Sequence, residues 1–194
     1  MLGVLTANVQ LGAASRRWLH RLLIVLPLLV SAIVVLTPAA AQARGPACQR
    51  RDTSVALTPA ASVRHRVAGW LCRPSRPTGT VQVLMSGFTY DHTYWEVGDR
   101  SYVRAALQAG MAVYTVDRIG VGASDRPPAD QVTVVTEAFV AHQLVQQLRH
   151  DGGFRRVMGV GHSYGSAIWM VEAASHHDVD ALVLTGYLHQ ANPV

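Results

Sequence analysis

Short apolar runs alternate with helical periods along residues 81–185, and this alternation constrains the fold more than any other feature of the chain. Residues 81–85, 111–116, 157–160 and 180–185 read as strands, and residues 101–108, 133–150 and 164–175 as helices. Within 133–150, Val134, Ala138, Ala141, Val145 and Leu148 recur at steps of three and four, which makes an apolar stripe for one side of a sheet. Such strands, separated by helices, require parallel pairing through right-handed crossovers. The expected fold class is therefore α/β, a doubly wound, mostly parallel sheet with helices on both faces. In such sheets chemistry sits at the carboxyl ends of the strands. Upstream, residues 44–62 read as an irregular entry with one strand near 54–57, and residues 65–72 as an edge strand.

The first 43 residues read as a bacterial export signal. Arg16, Arg17 and Arg21 precede an apolar run over residues 22–36, and Ala41-Gln42-Ala43 offers a small-residue cleavage site. The run is shorter than the ~20 residues a spanning helix needs and contains Pro27. A removed leader is thus expected, with a secreted or extracytoplasmic domain from residue 44 onward. Contact with a membrane is expected only through an uncleaved leader. Ser15-Arg16-Arg17-Trp18-Leu19 resembles a twin-arginine signal, and the apolar run also suits the general route, so both routes stay open.

Three of the 17 basic residues fall in this leader, leaving 14 against 12 acidic ones. That balance, with the arginines scattered, gives no nucleic-acid footprint. The two cysteines, Cys48 and Cys72, form an even pair in an exported chain and are expected to make one disulfide. No Cys/His spacing suits zinc, and no metal or organic cofactor is implied.

The chemistry is carried by Gly161-His162-Ser163-Tyr164-Gly165, which follows an apolar strand and opens a helix. This is the context of a nucleophile elbow, where a sharp turn lifts a serine Oγ above the sheet. Small residues two before and two after the serine let strand and helix approach, and Gly161 and Gly165 supply them. Ser163 is then the nucleophile, and His162 points away from it. One oxyanion N–H is expected from Tyr164 and the other from Phe88, in the loop Ser86-Gly87-Phe88 after the first central strand. Asp117-Arg118-Ile119-Gly120-Val121-Gly122-Ala123-Ser124-Asp125 is not a phosphate loop, since it lacks the P-loop Lys and has Asp125 at the third glycine position. It reads as a structural turn.

Together these segments, over residues 81–186, resemble the N-terminal half of the α/β-hydrolase superfamily, whose general esterase and lipase-type members show H-G, D-x-R-G-x-G-x-S and G-H-S-x-G in this order. The chain departs from that pattern at Ser86, where the family often has His, and at Asp117-Arg118, where a residue usually intervenes. The resemblance implies a triad acid and His on later strands, which these 194 residues do not contain, so the domain is expected to be partial. Asp117 precedes the nucleophile and is out of order for the acid. His176 and His177 read as helix-end residues, His92 and His142 as surface or loop-packing residues. His189 lines the substrate pocket or, failing another base, serves as one. Tyr90, Tyr94 and Trp95 suit pocket lining and core packing equally.

The function expected on this resemblance is that of an exported serine hydrolase cleaving acyl esters, on small-molecule or lipid substrates. The other reading is a noncatalytic binding domain, or a decayed gene product, on the same scaffold.

Overall fold

The computed structural model describes residues 47–187. The expected leader and His189 lie outside them. Eight strands and three α-helices follow one another: β1 (Ala47–Arg50), β2 (Thr53–Val55), β3 (His65–Val67), β4 (Gly69–Arg73), β5 (Thr80–Met85), α1 (Tyr102–Gln108), β6 (Ala112–Val116), α2 (Val134–His150), β7 (Arg156–His162), α3 (Tyr164–His176) and β8 (Ala181–Thr185).

Six strands form one sheet in the order β1-β4-β6-β5-β7-β8, and β2 pairs β3 in a small separate sheet. Strands β5 to β8 are mutually parallel, while β4 runs antiparallel to β6 and β1 antiparallel to β4. The sheet is thus mostly parallel and doubly wound, as its strand–helix alternation requires. After β5 the chain moves one way to β6, then crosses back over β5 to β7. That reversal places a crevice outside the carboxyl ends of β5 and β7, where ligands bind in open α/β sheets.

Alternation along β5 divides the core. Val81, Val83 and Met85 join a cluster with Ala141, Leu144, Val145 and Leu148 of α2 and Ile168 and Trp169 of α3. Leu84 turns to the other face and meets Val103, Ala106 and Leu107 of α1. Trp169 is fully buried and donates its indole N–H to the Val160 carbonyl at 3.2 Å, so its polar atom is satisfied. A Trp of this kind is worth about 3–5 kcal/mol against alanine. Helix starts follow local chemistry: the Ser101 hydroxyl accepts from Arg104 N, and Thr133 with Thr136 closes a reciprocal capping box on α2.

Two expectations about the N-terminal region are corrected. Residues 65–72 are not one edge strand. They split at Ala68, whose N–H donates to Ser124 Oγ at 2.8 Å and whose carbonyl accepts from Asp117 N at 3.0 Å. The loop after β6 captures the backbone there, so β3 leaves for the small sheet and β4 becomes an interior strand. The edge is β1, within a segment read as irregular. Its Cys48 is the register partner of Cys72 on β4, and the two are joined by a disulfide. The bridge closes a separation of 24 residues, which the chain-entropy model values at roughly 3 kcal/mol. Among the described residues no helix is long and apolar enough to cross a membrane.

Candidate active site

At the carboxyl end of β7 the chain turns through Ser163 into α3. Ser163 has φ 52° and ψ −116°, one of two non-glycine residues with positive φ among those described. Such a conformation costs on the order of 1–3 kcal/mol and persists only where its surroundings impose it. The surroundings are two backbone contacts. A Cβ on Gly161 would meet Ser166 N at 2.5 Å and the Gly165 carbonyl at 2.6 Å, and one on Gly165 would overlap the Met85 carbonyl. Only glycine lets β7, β5 and the first turn of α3 approach this closely. Ser163 is then pinned by its own backbone: its N–H donates to the Thr185 carbonyl at 2.8 Å, and its carbonyl accepts from Ser166 N at 2.9 Å.

The loop after β5 lies against this turn. A Cβ added to Gly87 would lie 3.4 Å from Ser163 Cβ, and the Phe88 ring meets the Tyr164 ring edge-on at 5.4 Å. Ser163, Phe88 and Tyr164, read from the sequence as one site, are therefore brought together. Neither the Phe88 nor the Tyr164 N–H donates to another described backbone carbonyl. The Ser163 hydroxyl makes no hydrogen bond to a described residue.

The sequence reading missed Arg118 and Glu137. The Arg118 guanidinium, 3% exposed, donates to the carbonyls of Ser86 (3.2 Å), Gly87 (2.9 Å) and Phe88 (2.8 Å). Its remaining nitrogen bonds both oxygens of Glu137 on α2, at 2.9 and 3.1 Å, and its face lies 5.0 Å from the Tyr164 ring centroid. With these carbonyls held on the arginine side, the loop backbone is fixed beside the serine. Burial pushes the Glu137 carboxyl upward and Arg118 pulls it back, with the net upward. Burial also raises the Tyr164 phenol.

Asp117 is spent on structure, tying its own loop to the segment after β5, which matches the structural role expected of that turn. Its Oδ1 accepts from His92 N at 2.9 Å and lies 2.7 Å from His92 Nδ1, while Oδ2 accepts from Ala123 N at 2.7 Å. His92 stacks on Trp70 at 3.5 Å, a loop-packing residue as read. Asp91, His92 and Asp117 bring ligand atoms within 4.8 Å of one another, but these bonds already occupy the aspartate. The His162 ring stacks on Tyr94 at 4.9 Å, with Nδ1 3.1 Å from Thr185 Oγ1. Trp95 is buried and Tyr90 exposed, so the aromatic cluster divides between core packing and open surface. His176 ends α3, as expected, and His177 follows in the left-handed conformation. His142 is not simply a surface residue: its Nδ1 lies 2.6 Å from Asp178 Oδ2.

Residues 82–191 match the model of the alpha/beta hydrolase family. Among solved structures, the chain is similar to a probable hydrolytic enzyme from Pseudomonas aeruginosa PAO1, at 23% identity and a TM-score of 0.57, over 72% of this chain and 41% of that one. It is similar to an esterase from Pyrococcus furiosus, at 16% identity and a TM-score of 0.55, over 69% and 49%. A thermophilic esterase from Thermogutta terrifontis matches at 24% identity and a TM-score of 0.53, over 71% and 46%. The chain thus spans less than half the length of these proteins. A comparison with curated protein sequences gives no match.

Proposed function

The chain belongs to the alpha/beta hydrolase family, and from that premise we propose that it carries the nucleophile half of an exported serine hydrolase cleaving acyl esters. The observation that supports this reading best is the backbone of Ser163, a positive-φ residue between a strand end and a helix start with the Gly87 loop against it.

In the proposed reaction Ser163 Oγ attacks the ester carbonyl carbon and loses its proton to a base. The carbonyl oxygen takes the negative charge and is held by the N–H groups of Phe88 and Tyr164. Collapse of the tetrahedral adduct expels the alcohol, which takes up the proton, and water then releases the acid and frees the serine. The first turn of α3 adds its dipole near the oxyanion. Arg118 acts through the loop, by fixing the three carbonyls behind Phe88. The base and acid would come from the remainder of the fold, as the family's arrangement implies. Small-molecule esters are the proposed substrates, and residues 1–43 the leader removed on export.

The test is labelling of the complete polypeptide with a fluorophosphonate probe. Adduct on Ser163, lost together with ester turnover in Ser163→Ala, is expected. Turnover retained in Ser163→Ala would overturn the assignment, and a complete protein that neither labels nor turns over would favour the noncatalytic binding domain. N-terminal sequencing of exported material should begin at Arg44.

A further inference from the structure

A second cluster lies at the junction of α2 and the end of α3. Glu172 sits nine positions after Ser163, which at 1.5 Å rise is roughly 13 Å along the helix. It is completely buried, and neither carboxylate oxygen has a hydrogen-bond partner among the described residues. It faces Asp178, whose Oδ1 is likewise buried and without a partner. The other oxygen of Asp178, Oδ2, accepts from Gln146 Nε2 at 2.6 Å and lies 2.6 Å from His142 Nδ1. Arg149 comes near but is committed elsewhere, to the Asp178 carbonyl at 2.7 Å and the Asp180 carboxylate at 2.6 Å. Ligand atoms of His142, Glu172 and Asp178 all lie within 4.8 Å of one another. The His176 ring, four residues after Glu172 on the same helix face, stacks on His142 at 4.1 Å.

Two facing carboxylates without a cation between them are strongly unfavourable in such a place. A cation would neutralise the pair and satisfy the three orphan oxygens together.

We propose that His142, Glu172 and Asp178 bind one divalent transition-metal ion of the zinc class, at a structural site separate from the serine. One imidazole nitrogen with two carboxylates suits zinc, whereas magnesium and calcium favour oxygen throughout. Bonds of about 2.0–2.2 Å would rearrange ligand atoms that now all lie within 4.8 Å of one another. The side chains of His142 and Asp178 are 26% and 14% exposed, so they lie nearer solvent than the buried Glu172. Gln146 orients Asp178 as an outer partner. The ion would tie α2 to the end of α3.

The test titrates zinc into the chelator-treated 194-residue chain by calorimetry and follows cobalt absorption as a geometric readout. One equivalent should bind, with low-coordinate cobalt bands. Glu172→Gln and His142→Asn should each weaken binding roughly tenfold or more. His150→Asn, a change at a fully solvent-facing histidine, should leave it intact. If Glu172→Gln does not fold by circular dichroism, His142→Asn, at a partly exposed position, decides. No stoichiometric binding to the wild type, or binding that survives in His142→Asn, would overturn the site and leave a shared proton as the account of Glu172.

Discussion

Arg118 donates to the Phe88 carbonyl from 19 positions before its partner Glu137, so one side chain ties the loop after β5 to the first turn of α2. Removing Arg118 alone leaves Glu137 buried without a counter-charge. A loss of about 3–5 kcal/mol is expected for Arg118→Met. Arg118→Met combined with Glu137→Leu should recover most of that loss, because both charges go together. The combined variant should still label slowly at Ser163, since nothing holds the Ser86, Gly87 and Phe88 carbonyls. Chemical denaturation and probe-labelling rates on the complete polypeptide separate the two effects. Equal labelling in the combined variant and the wild type would show that the clamp does not position the loop.

The same pair sets a pH dependence. The Glu137 carboxyl is raised in the folded state, by burial before Arg118 is counted. A folded state that binds this proton more tightly than the unfolded chain gains relative stability as pH falls. The contribution is therefore largest below the ordinary carboxylate range and is lost as pH rises through the raised value. Stability of the wild type minus that of Glu137→Gln should rise as pH is lowered from 7 toward the usual carboxylate range. A difference that is flat, or falls, over that window would contradict the burial argument.

The strain at Ser163 has its own signature. Glycine adopts φ 52° without the penalty a side chain carries there. Ser163→Gly should therefore raise stability by about 1 kcal/mol while abolishing probe labelling. Gly165→Val should do the reverse to the scaffold, because its Cβ falls on the Met85 carbonyl, and a loss of about 1–3 kcal/mol or more is expected. Thermal denaturation of both variants checks this. Destabilisation in Ser163→Gly would mean that the turn is not strained.

What was legible in the residues divides by how far apart the partners lie. The stripe of α2 and the small residues around Ser163 are local patterns, and each appears in the structure within a residue or two of its expected place. Ala68 breaks the expected strand over 65–72 because Asp117 and Ser124 take its backbone, and they lie about fifty residues away. Arg118 and Glu137 look like surface charges in a window of ten residues. Only in the fold do they meet, Arg118 between the carbonyls of the loop after β5 and Glu137 on α2. His142 and Glu172 likewise gain meaning through Asp178, which no helical period reaches.

Strand β8 ends the described six-stranded sheet. It pairs with β7 along one side only, and among the described residues no strand covers its other side. Its sequence is Ala181-Leu182-Val183-Leu184-Thr185, and Leu184 is 40% exposed. An uncovered apolar edge offers unpaired N–H and carbonyl groups to another chain. The isolated 194-residue chain should therefore self-associate in size-exclusion chromatography, and Leu184→Lys should shift it toward the monomer, because a charge on the edge opposes pairing. The same chain should turn over p-nitrophenyl acetate no faster than its Ser163→Ala variant. A serine hydroxyl without a base is a weak nucleophile, and Ser163 Oγ has no hydrogen-bond partner among the described residues. A monodisperse monomer with Ser163-dependent turnover would contradict both halves of the argument. It would direct attention to His189 as the base.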